Sequence, residues 1–350
     1  MRAHLKILWI SVVLFLGSAG LLFAGEAQDA FDEGIKFYRA GKFKEAIAAY
    51  DRAIKAAPKA AEAYLGRGSA YAKLGQSDRA IKDYDEAIRL NPELADAYYK
   101  RGDAHNESKQ YQAAIKDYDE ALRRDPKLTE IYNNRGLVYY KLGQYDNAIK
   151  NFDEALRQDP KLTDAFYNRG NAHFAQKQYS AAIKDYDEVI KQTPKSTKAY
   201  YHRGEAYTSL GQFEKAIQDF NQAQKLNPKG HEIYSSRGLA QRRLGNHELA
   251  VKDYSEAIKL NSKDAEAYNN RGNAYSLLGK YDQALKDYDE GVKLDPKNAR
   301  IYGNRGMVKL RQGKAEEAQQ DFKKAVELEP SLKGKLEPLM NEQKNPAAQR

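Results

Sequence analysis

The sequence contains no cysteine among its 350 residues. Disulfide bonds, cysteine-ligated zinc and thiol catalysis are therefore excluded by composition alone. A lipid anchor at a cleaved amino terminus is excluded for the same reason, because it requires a cysteine at the cleavage point. The absence leaves the redox compartment undecided, since a chain without thiols folds under either condition.

The sequence also lacks the residue patterns on which common catalytic and metal sites depend. Its six histidines are scattered, and no two have the spacing of a metal site on a helix. The segment HELA at 247–250 lacks the second histidine of a zinc motif, and no glycine-rich phosphate loop occurs after residue 27. We therefore expect no catalytic residue, no metal and no cofactor, so that the protein is not an enzyme.

No block of like charge is present, although the formal net charge is +9. Lysines and acidic residues alternate in phrases such as IKDYDEAIRLNP, so the positive excess is spread along the chain. A protein that binds nucleic acid is expected to gather lysine and arginine in a stripe. The charge pattern therefore predicts that nucleic acid is not a partner.

Only one long hydrophobic run occurs, at residues 7–24. Arg2 and Lys6 precede it and small residues follow at 25–27, so residues 1–27 are predicted to be a signal peptide or signal anchor. Basic residues before the run and acidic residues after it place the rest of the chain outside the cytoplasm. The protein is expected to be exported to the periplasm or the extracellular space, or alternatively to be anchored in the inner membrane by residues 7–24. This segment, if uncleaved, is its only expected contact with a membrane.

The dipeptide Arg-Gly occurs eight times with a 34-residue period, with arginines from Arg67 to Arg305. Prolines keep the same step from Pro58 to Pro330, with Ser262 in the one gap. A fixed period between about 20 and 50 residues is typical of stacked repeat proteins, which bury one continuous core. The nine repeats are expected to start near residues 27, 61, 95, 129, 163, 197, 231, 265 and 299.

Each repeat is predicted to be a pair of antiparallel helices joined by a short turn. In residues 61–94, large residues first recur at helical steps up to Gly75, which is typical of a helix end. A second stretch then places Tyr84 and Ile88 at helical spacing before Pro92 closes it. No alternation of apolar and polar residues indicates a strand, so the predicted fold class is all-α.

Small residues recur where the two helices of a repeat are expected to cross. A glycine occupies one first-helix position in all nine repeats, from Gly34 to Gly306, and an alanine occupies one second-helix position, from Ala46 to Ala318. A glycine inside a helix costs about 0.5–1 kcal/mol relative to alanine. Its repetition therefore predicts a close contact, for which the neighbour is expected to be the aromatic residue four positions after the alanine, such as Tyr84.

An acidic residue recurs 16 positions after the arginine of each Arg-Gly dipeptide, with Asn151 in one repeat. The first repeat lacks both residues, which indicates that arginine and aspartate pair within a repeat. These pairs are predicted to be structural. They are Arg67 with Asp83, Arg101 with Asp117, Arg169 with Asp185, and Arg203 with Asp219.

The order aromatic, Gly, aromatic, Ala, aromatic, Ala and Pro within each 34-residue unit resembles the tetratricopeptide repeat (TPR). The resemblance covers residues 27–332 and implies an α-solenoid, a right-handed superhelix in which the first helices line a concave groove. We thus expect a bacterial, exported TPR protein with its nine repeats in residues 28–332.

The carboxyl terminus is expected to cover the last repeat. Leu332, Leu336, Leu339 and Met340 recur at helical spacing, which predicts a capping helix at 333–343. Residues 344–350 are predicted to form a disordered tail.

The resemblance also implies which side chains face the groove. In related proteins the residue before the Arg-Gly position faces the groove, and asparagine fills that place four times. An asparagine side chain offers one acceptor and two donors to a peptide group, and tyrosine offers contact area at low entropic cost. The groove residues expected to bind a partner are Tyr99, Lys100, Asn133, Asn134, Tyr140, Tyr167, Asn168, Asn171, Lys198, Tyr201, His202, Asn270 and Asn304.

Two more specific comparisons differ in how well the residues match. The asparagine row resembles the asparagine ladder of the TPR superhelix in protein O-GlcNAc transferases, although His202 and Ser236 interrupt it. The alternative is that asparagine is a soluble groove residue copied with the repeat. The carboxylate clamp of chaperone-binding TPR proteins is incomplete, because Glu130 stands where its first lysine belongs and would repel a carboxylate.

These observations predict a non-enzymatic scaffold of the cell envelope that binds proteins or peptides. Its groove would hold extended or helical segments through many weak contacts. One alternative is an adaptor that binds an envelope polysaccharide through the same tyrosines and asparagines. Another is a purely structural or self-associating array. The identity of the partner does not follow from the sequence, because repeat proteins share their framework residues whatever they bind.

Overall fold

The structure, a computed structural model, describes residues 25–341. They form 19 α-helices and one 3₁₀ turn, and this range contains no strand, so the predicted all-α class is confirmed. None of these helices combines the length and the apolar character that a membrane crossing requires. Most of the predicted leader and all of the predicted tail lie outside the described residues.

The helices come in pairs that follow the 34-residue period. The first helices of the nine repeats are Glu26–Arg39, Ala61–Lys73, Ala95–Glu107, Thr129–Lys141, Thr163–Ala175, Thr197–Ser209, His231–Arg243, Ala265–Leu277 and Ala299–Arg311. The second helices, in the same order, are Phe43–Ala56, Ser77–Leu90, Tyr111–Arg124, Tyr145–Gln158, Tyr179–Gln192, Phe213–Leu226, His247–Leu260, Tyr281–Leu294 and Ala315–Leu328.

The turn inside each repeat depends on one residue in the left-handed region of backbone space. Glycine supplies it in most repeats, as at Gly75 with a φ of 71°. Repeats 3 and 5 have lysine there instead, and Lys109 and Lys177 take φ values of 60° and 61°. Because a side chain with a Cβ atom is strained in this conformation, both turns close in the same way at some energetic cost.

The chain divides into two compact units, an N-terminal unit through Ala172 and a C-terminal unit from His173. Repeats 1 to 4 lie in the first unit and repeats 6 to 9 in the second. Inside each unit, the two helices of a repeat pack on each other, and the second helix packs on the first helix of the next repeat. The first helices of successive repeats therefore lie side by side and form a common face within each unit.

In the repeats that lie within one unit, an aromatic ring is set against a glycine in the core. A Cβ atom added at Gly272 would lie 2.8 Å from Cε1 of Tyr288, and one added at Gly68 would lie 2.8 Å from Cε1 of Tyr84. Such distances leave no room for a methyl group, so the predicted close contact is present. Tyr288 is 1% exposed, which makes the ring a full member of the core.

A short helix follows the last repeat. It runs from Lys333 to Asn341 and contains Pro338. Leu336 is buried against the cluster that includes Phe322, and Leu339 and Met340 pack on the same cluster. This helix therefore covers apolar surface of the last repeat that would otherwise face solvent.

Candidate partner-binding face

Six arginines of the Arg-Gly dipeptides bind an aspartate carboxylate in their own repeats, and Arg135 binds the amide of Asn151 instead. Arg67 donates from Nε to Oδ2 of Asp83 at 2.9 Å and from Nη2 to Oδ1 at 2.7 Å. The hydrogen bonds to Asp83 raise the pKa of Arg67 further above its ordinary value. The same two-bond geometry recurs at Arg101 with Asp117 and at Arg203 with Asp219. These arginines hold two helices together and are not available to a ligand as free cations.

Each of these arginines has a further bond that the sequence analysis did not anticipate. Nη1 of Arg67 donates to Oδ1 of Asp51 at 2.6 Å, and Asp51 belongs to the preceding repeat. Arg237 makes the equivalent bond to Asn221 at 2.7 Å. One guanidinium therefore joins two repeats. The recurrence of a polar residue 16 positions before each arginine was the signal that could have revealed it.

The pair predicted between Arg169 and Asp185 falls on the two sides of the unit boundary. Within the N-terminal unit, Nη1 of Arg169 donates to Oδ1 of Asp153 at 2.6 Å. Within the C-terminal unit, Nε2 of His173 lies 3.9 Å from Oδ2 of Asp185. The pair between Arg169 and Asp185 itself therefore stays a prediction.

In the N-terminal unit, the predicted asparagines bond to one another across neighbouring repeats. Nδ2 of Asn168 donates to Oδ1 of Asn133 at 3.0 Å. Nδ2 of Asn134 lies 3.1 Å from the hydroxyl of Tyr99, to which it donates. These side chains are only partly buried. The structure therefore brings Tyr99, Asn133, Asn134 and Asn168 into one connected row on the first-helix face, and part of their hydrogen-bonding capacity is used inside the protein.

Asp103 lies beneath this row and was not anticipated from the sequence. Its Oδ1 accepts from the hydroxyl of Tyr118 at 2.7 Å and from Nδ2 of Asn134 at 3.1 Å. Burial raises the pKa of the Asp103 carboxyl, although these donors act in the opposite direction. Asp103 therefore links the core aromatic ring of its repeat to the polar face.

Aromatic and basic side chains border the asparagine row. Nζ of Lys100 lies 5.8 Å from the centre of the Tyr99 ring. The rings of Tyr140 and Tyr145 are 5.4 Å apart at their centres. Tyr167 and Asn171 are partly buried on the first helix of repeat 5. The N-terminal unit therefore offers aromatic surface beside amide groups.

The C-terminal unit has a different arrangement at the equivalent positions. The Tyr201 hydroxyl donates to Oε1 of Glu205 at 2.9 Å and lies 3.2 Å from Oγ of Ser236. Nδ1 of His202 lies 3.2 Å from Oε2 of Glu205. Lys198 is exposed near the start of the same helix. A hydroxyl-carboxylate-imidazole cluster thus replaces the amide row in repeat 6.

Asparagine bonding returns in the last two repeats. Nδ2 of Asn304 donates to Oδ1 of Asn269 at 2.9 Å. Asn269 is only 3% exposed, so it is a framework residue, whereas Asn270 and Asn304 are partly buried. The sequence position before Arg-Gly therefore remains near the surface, and the position before that is the internal acceptor.

Within residues 25–341, no group of three or more histidine, aspartate or glutamate side chains is arranged to hold a metal ion. Several titratable groups of the first-helix faces are held by hydrogen bonds inside the protein, as Asp103 and Glu205 are. What both faces can do chemically is offer amides, hydroxyls and aromatic rings to a bound chain.

Paired helices that repeat with a 34-residue period, with polar faces on the first helices, define a helical-repeat protein of the interaction-scaffold class. Family models described as tetratricopeptide repeat or TPR repeat match residues 31–93, 68–128, 133–197, 197–229, 238–279, 265–298 and 299–332. The chain belongs to the tetratricopeptide repeat family, as the sequence pattern predicted. No curated protein matches the chain in sequence.

Two solved structures with TM-scores above 0.5 agree with this assignment at the level of the fold. A tetratricopeptide repeat protein from Parabacteroides merdae is 22% identical, covers 71% of this chain and 97% of its own, and has a TM-score of 0.57. The APC/C hetero-tetramer Cut9-Hcn1 contains a chain that is 15% identical, with coverage of 95% and 81% and a TM-score of 0.55. YrrB, described as a TPR protein with an unusual peptide-binding site, is 19% identical, with coverage of 56% and 97% and a TM-score of 0.47.

Proposed function

We propose that the protein is a non-enzymatic scaffold of the cell envelope that binds extended or helical peptide segments along its first-helix faces. The observation that carries this proposal is the connected row of Tyr99, Asn133, Asn134 and Asn168. Its members are partly buried, lie on successive repeats and hold one another in place. Membership of a family of protein-interaction scaffolds supports it.

The mechanism is display of hydrogen-bonding groups that are already ordered. A side-chain amide has two donor hydrogens and one acceptor oxygen. The Asn168 bond to Asn133 uses one donor hydrogen of Asn168, which leaves its carbonyl oxygen and second hydrogen for a peptide group. Because inter-repeat bonds fix these side chains beforehand, binding costs less conformational entropy than it would on a mobile surface.

The envelope location depends on the apolar run at residues 7–24, which favours export. Cleavage of this leader would leave the protein in the periplasm or outside the cell, and retention would anchor it to the inner membrane. Sequencing the amino terminus of the protein recovered from the envelope distinguishes the two, and recovery of the whole pool from the cytoplasm would contradict the proposal.

The first test is co-purification from the envelope fraction with the wild type and an Asn134→Ala/Asn168→Ala/Tyr201→Ala variant. A matched control replaces three exposed second-helix lysines, Lys116, Lys150 and Lys184, by alanine. We expect a protein captured by wild type and control to be lost from the first variant. Equal capture by all three would show that the first-helix faces are not the binding surface.

The alternative ligand is an envelope polysaccharide bound by the same tyrosines and asparagines. Isolated envelope polymer and an array of unmodified and backbone-methylated peptides separate the two classes. Methylation of backbone amides should abolish peptide binding, because it removes the N–H groups from which the asparagine oxygens would accept hydrogen bonds. Retention of polymer with no retained peptide would favour the polysaccharide. A rise in sedimentation coefficient with concentration, and no ligand, would favour self-association.

A further inference from the structure

One core tyrosine in the C-terminal unit lacks the hydrogen bond that two of its counterparts, Tyr118 and Tyr288, make. Tyr254 is fully buried, and its hydroxyl donates to no acceptor among residues 25–341. The equivalent hydroxyl of Tyr118 donates to Asp103 at 2.7 Å, and that of Tyr288 donates to Asn273 at 2.9 Å. Burial of a hydroxyl that donates to no acceptor is unfavourable, so repeat 7 departs from the pattern of repeats 3 and 8.

The departure has a specific cause in the first helix of repeat 7. In repeats 3 and 8 the acceptor is the residue that follows the helix glycine, and in repeat 7 this residue is Leu239, whose side chain cannot accept a hydrogen bond. Ser235 and Arg242 lie on the same helix face, four positions before it and three after it. Oγ of Ser235 and Nε of Arg242 are buried without a partner in the described chain. In place of an acceptor, repeat 7 therefore has the guanidinium of Arg242, which lies close to the Tyr254 hydroxyl.

Repeats 3 and 4 show which kind of group accepts hydrogen bonds at the equivalent position. There the carboxylate of Asp103 accepts from the hydroxyl of Tyr118 at 2.7 Å and from the amide of Asn134 at 3.1 Å. The equivalent residues four repeats later are Leu239, Tyr254 and Asn270. Repeat 7 thus keeps the tyrosine donor, is followed by the asparagine donor, and has lost the carboxylate.

Arg242 adds a positive charge where repeat 3 has the neutral side chain of Asn106. Burial raises the pKa of Tyr254 to about 12, and Arg242 lies close enough to oppose that rise. The nearest acidic groups are engaged elsewhere, because Asp253 binds Arg237 and Glu266 pairs with Arg300. Beside its core tyrosine, repeat 3 has the negative charge of Asp103, whereas repeat 7 has the positive charge of Arg242.

We propose that repeat 7 binds the carboxylate of an aspartate or glutamate side chain in a peptide partner. Arg242 is only partly buried and is the group that meets the carboxylate. The inference rests on the proposed peptide-binding function and names the chemistry of one side chain that the partner must carry.

The carboxylate site is tested on the full chain without any peptide. The probe is N-acetylglutamate N-methylamide, with the glutamine analogue as a neutral control, and the readout is the NMR signal of each arginine Nε–H group. We expect the Arg242 signal to shift saturably with the glutamate probe alone. Leu239→Asp, which restores the arrangement of Asp103, should abolish the shift. Arg243→Gln, which removes the exposed neighbouring charge, should preserve it.

The proposal is overturned if the Arg242 signal does not move or moves equally with both probes. It is also overturned if Leu239→Asp, shown to be folded by circular dichroism, leaves the shift unchanged. Loss of the shift in Arg243→Gln would mean that only diffuse charge attracts the probe.

A second experiment joins the site to the proposed function. Peptides bound by the wild type are resynthesised in matched forms with glutamate or glutamine. A charge-assisted bond predicts a preference for glutamate of about tenfold or more, which Arg242→Gln should remove and Arg243→Gln should keep. An equal preference in Arg242→Gln would overturn the assignment. If no peptide binds at all, the proposed function fails, while the result with the glutamate probe decides the carboxylate site.

Discussion

Arg203 and Asp219 are joined by two parallel hydrogen bonds, from Nε to Oδ2 at 2.8 Å and from Nη2 to Oδ1 at 2.6 Å. The Asp219 side chain is 7% exposed and that of Arg203 is 19% exposed. Burial raises the pKa of Asp219, and the bonds from Arg203 act against that rise. The pair is therefore a desolvated charge pair, whose members depend on each other.

Removing the arginine should be strongly destabilising. Arg203→Ala leaves the Asp219 carboxylate buried without its donors, and we expect a loss of about 3–5 kcal/mol in the free energy of unfolding. The control is Arg89→Ala, because Arg89 is 66% exposed and pairs with Glu86 in solvent. Its melting temperature should stay close to that of the wild type, because an exposed ion pair contributes little. Thermal melts with the same midpoint for both variants would refute the structural role of the pair.

The two carboxylates held by Arg203 should differ in importance. Asp187 belongs to the preceding repeat and its side chain is 48% exposed, whereas that of Asp219 is 7% exposed. We expect Asp187→Asn to cost less than about 1 kcal/mol. Asp219→Asn should cost about 1.5–3 kcal/mol, because it weakens buried bonds to a charged group. Urea unfolding of the two variants measures the difference, and a reversed order would contradict this account.

Two helix glycines should respond to alanine with opposite signs. Gly272→Ala would place a methyl group 2.8 Å from Cε1 of Tyr288, and overpacking of this kind costs about 1–3 kcal/mol. Gly303 also lies in a first helix, but its nearest neighbour would be Leu336 at 4.0 Å. Gly303→Ala should therefore stabilise the protein by about 0.5–1 kcal/mol through helix propensity. Destabilisation by both substitutions would mean that space is not the deciding factor.

The lysine-containing turns should gain from glycine. Lys109 has a φ of 60°, and glycine adopts this conformation without steric cost. We expect Lys109→Gly to raise the unfolding free energy by about 1 kcal/mol, since an L-residue in this region costs about 1–2 kcal/mol. The reverse change Gly75→Lys, where φ is 71°, should lower it by a similar amount. Calorimetric melting temperatures that move in the same direction for both would contradict the prediction.

The Asp103 carboxyl should make stability depend on pH. Its folded-state pKa is raised above the ordinary value of 3.8, chiefly by burial, in surroundings that include Lys100 and Glu107. The protonated form favours folding, so its contribution is present below pH 3.8 and is lost as pH rises through the folded pKa. Asp103→Asn keeps an acceptor for Tyr118 and removes this loss.

The melting temperature of Asp103→Asn relative to wild type should therefore rise across that window and then level off. Parallel melts from acidic to neutral pH measure it, with Asp85→Asn, an exposed position, as the control. A constant difference at every pH would show that the Asp103 carboxyl does not titrate with a raised pKa.

The repeat framework could be predicted because its contacts join residues that lie close together in the sequence. Gly272 and Tyr288 lie 16 positions apart, as do Arg67 and Asp83, and both relationships recur at the 34-residue period. Nine copies of one pattern make such partners visible without a structure. The same period predicted the helix pairs, and Gly75 with its neighbours predicted the turn between the two helices of a repeat.

The candidate site was less predictable. The asparagines before Arg-Gly were identified as groove residues, but their bonds to Tyr99 and Asn133 were not anticipated. Asp103 and Arg242 were missed altogether, because each occurs once at a position that varies between repeats. A comparison of the residue after each helix glycine with the aromatic it faces would have drawn attention to Leu239.

The sequence by itself determined the all-α class, the helix pairs, the glycine-aromatic crossings and the arginine-aspartate pairing. Each of these follows from local helical periodicity repeated at a fixed step. Only the tertiary structure decided which polar groups are used for hydrogen bonds inside the protein, as Asn269 is, and which donate to no acceptor, as is true of the Tyr254 hydroxyl. That distinction depends on how side chains of neighbouring first helices meet, and a repeated pattern does not specify contacts between the positions at which its copies differ.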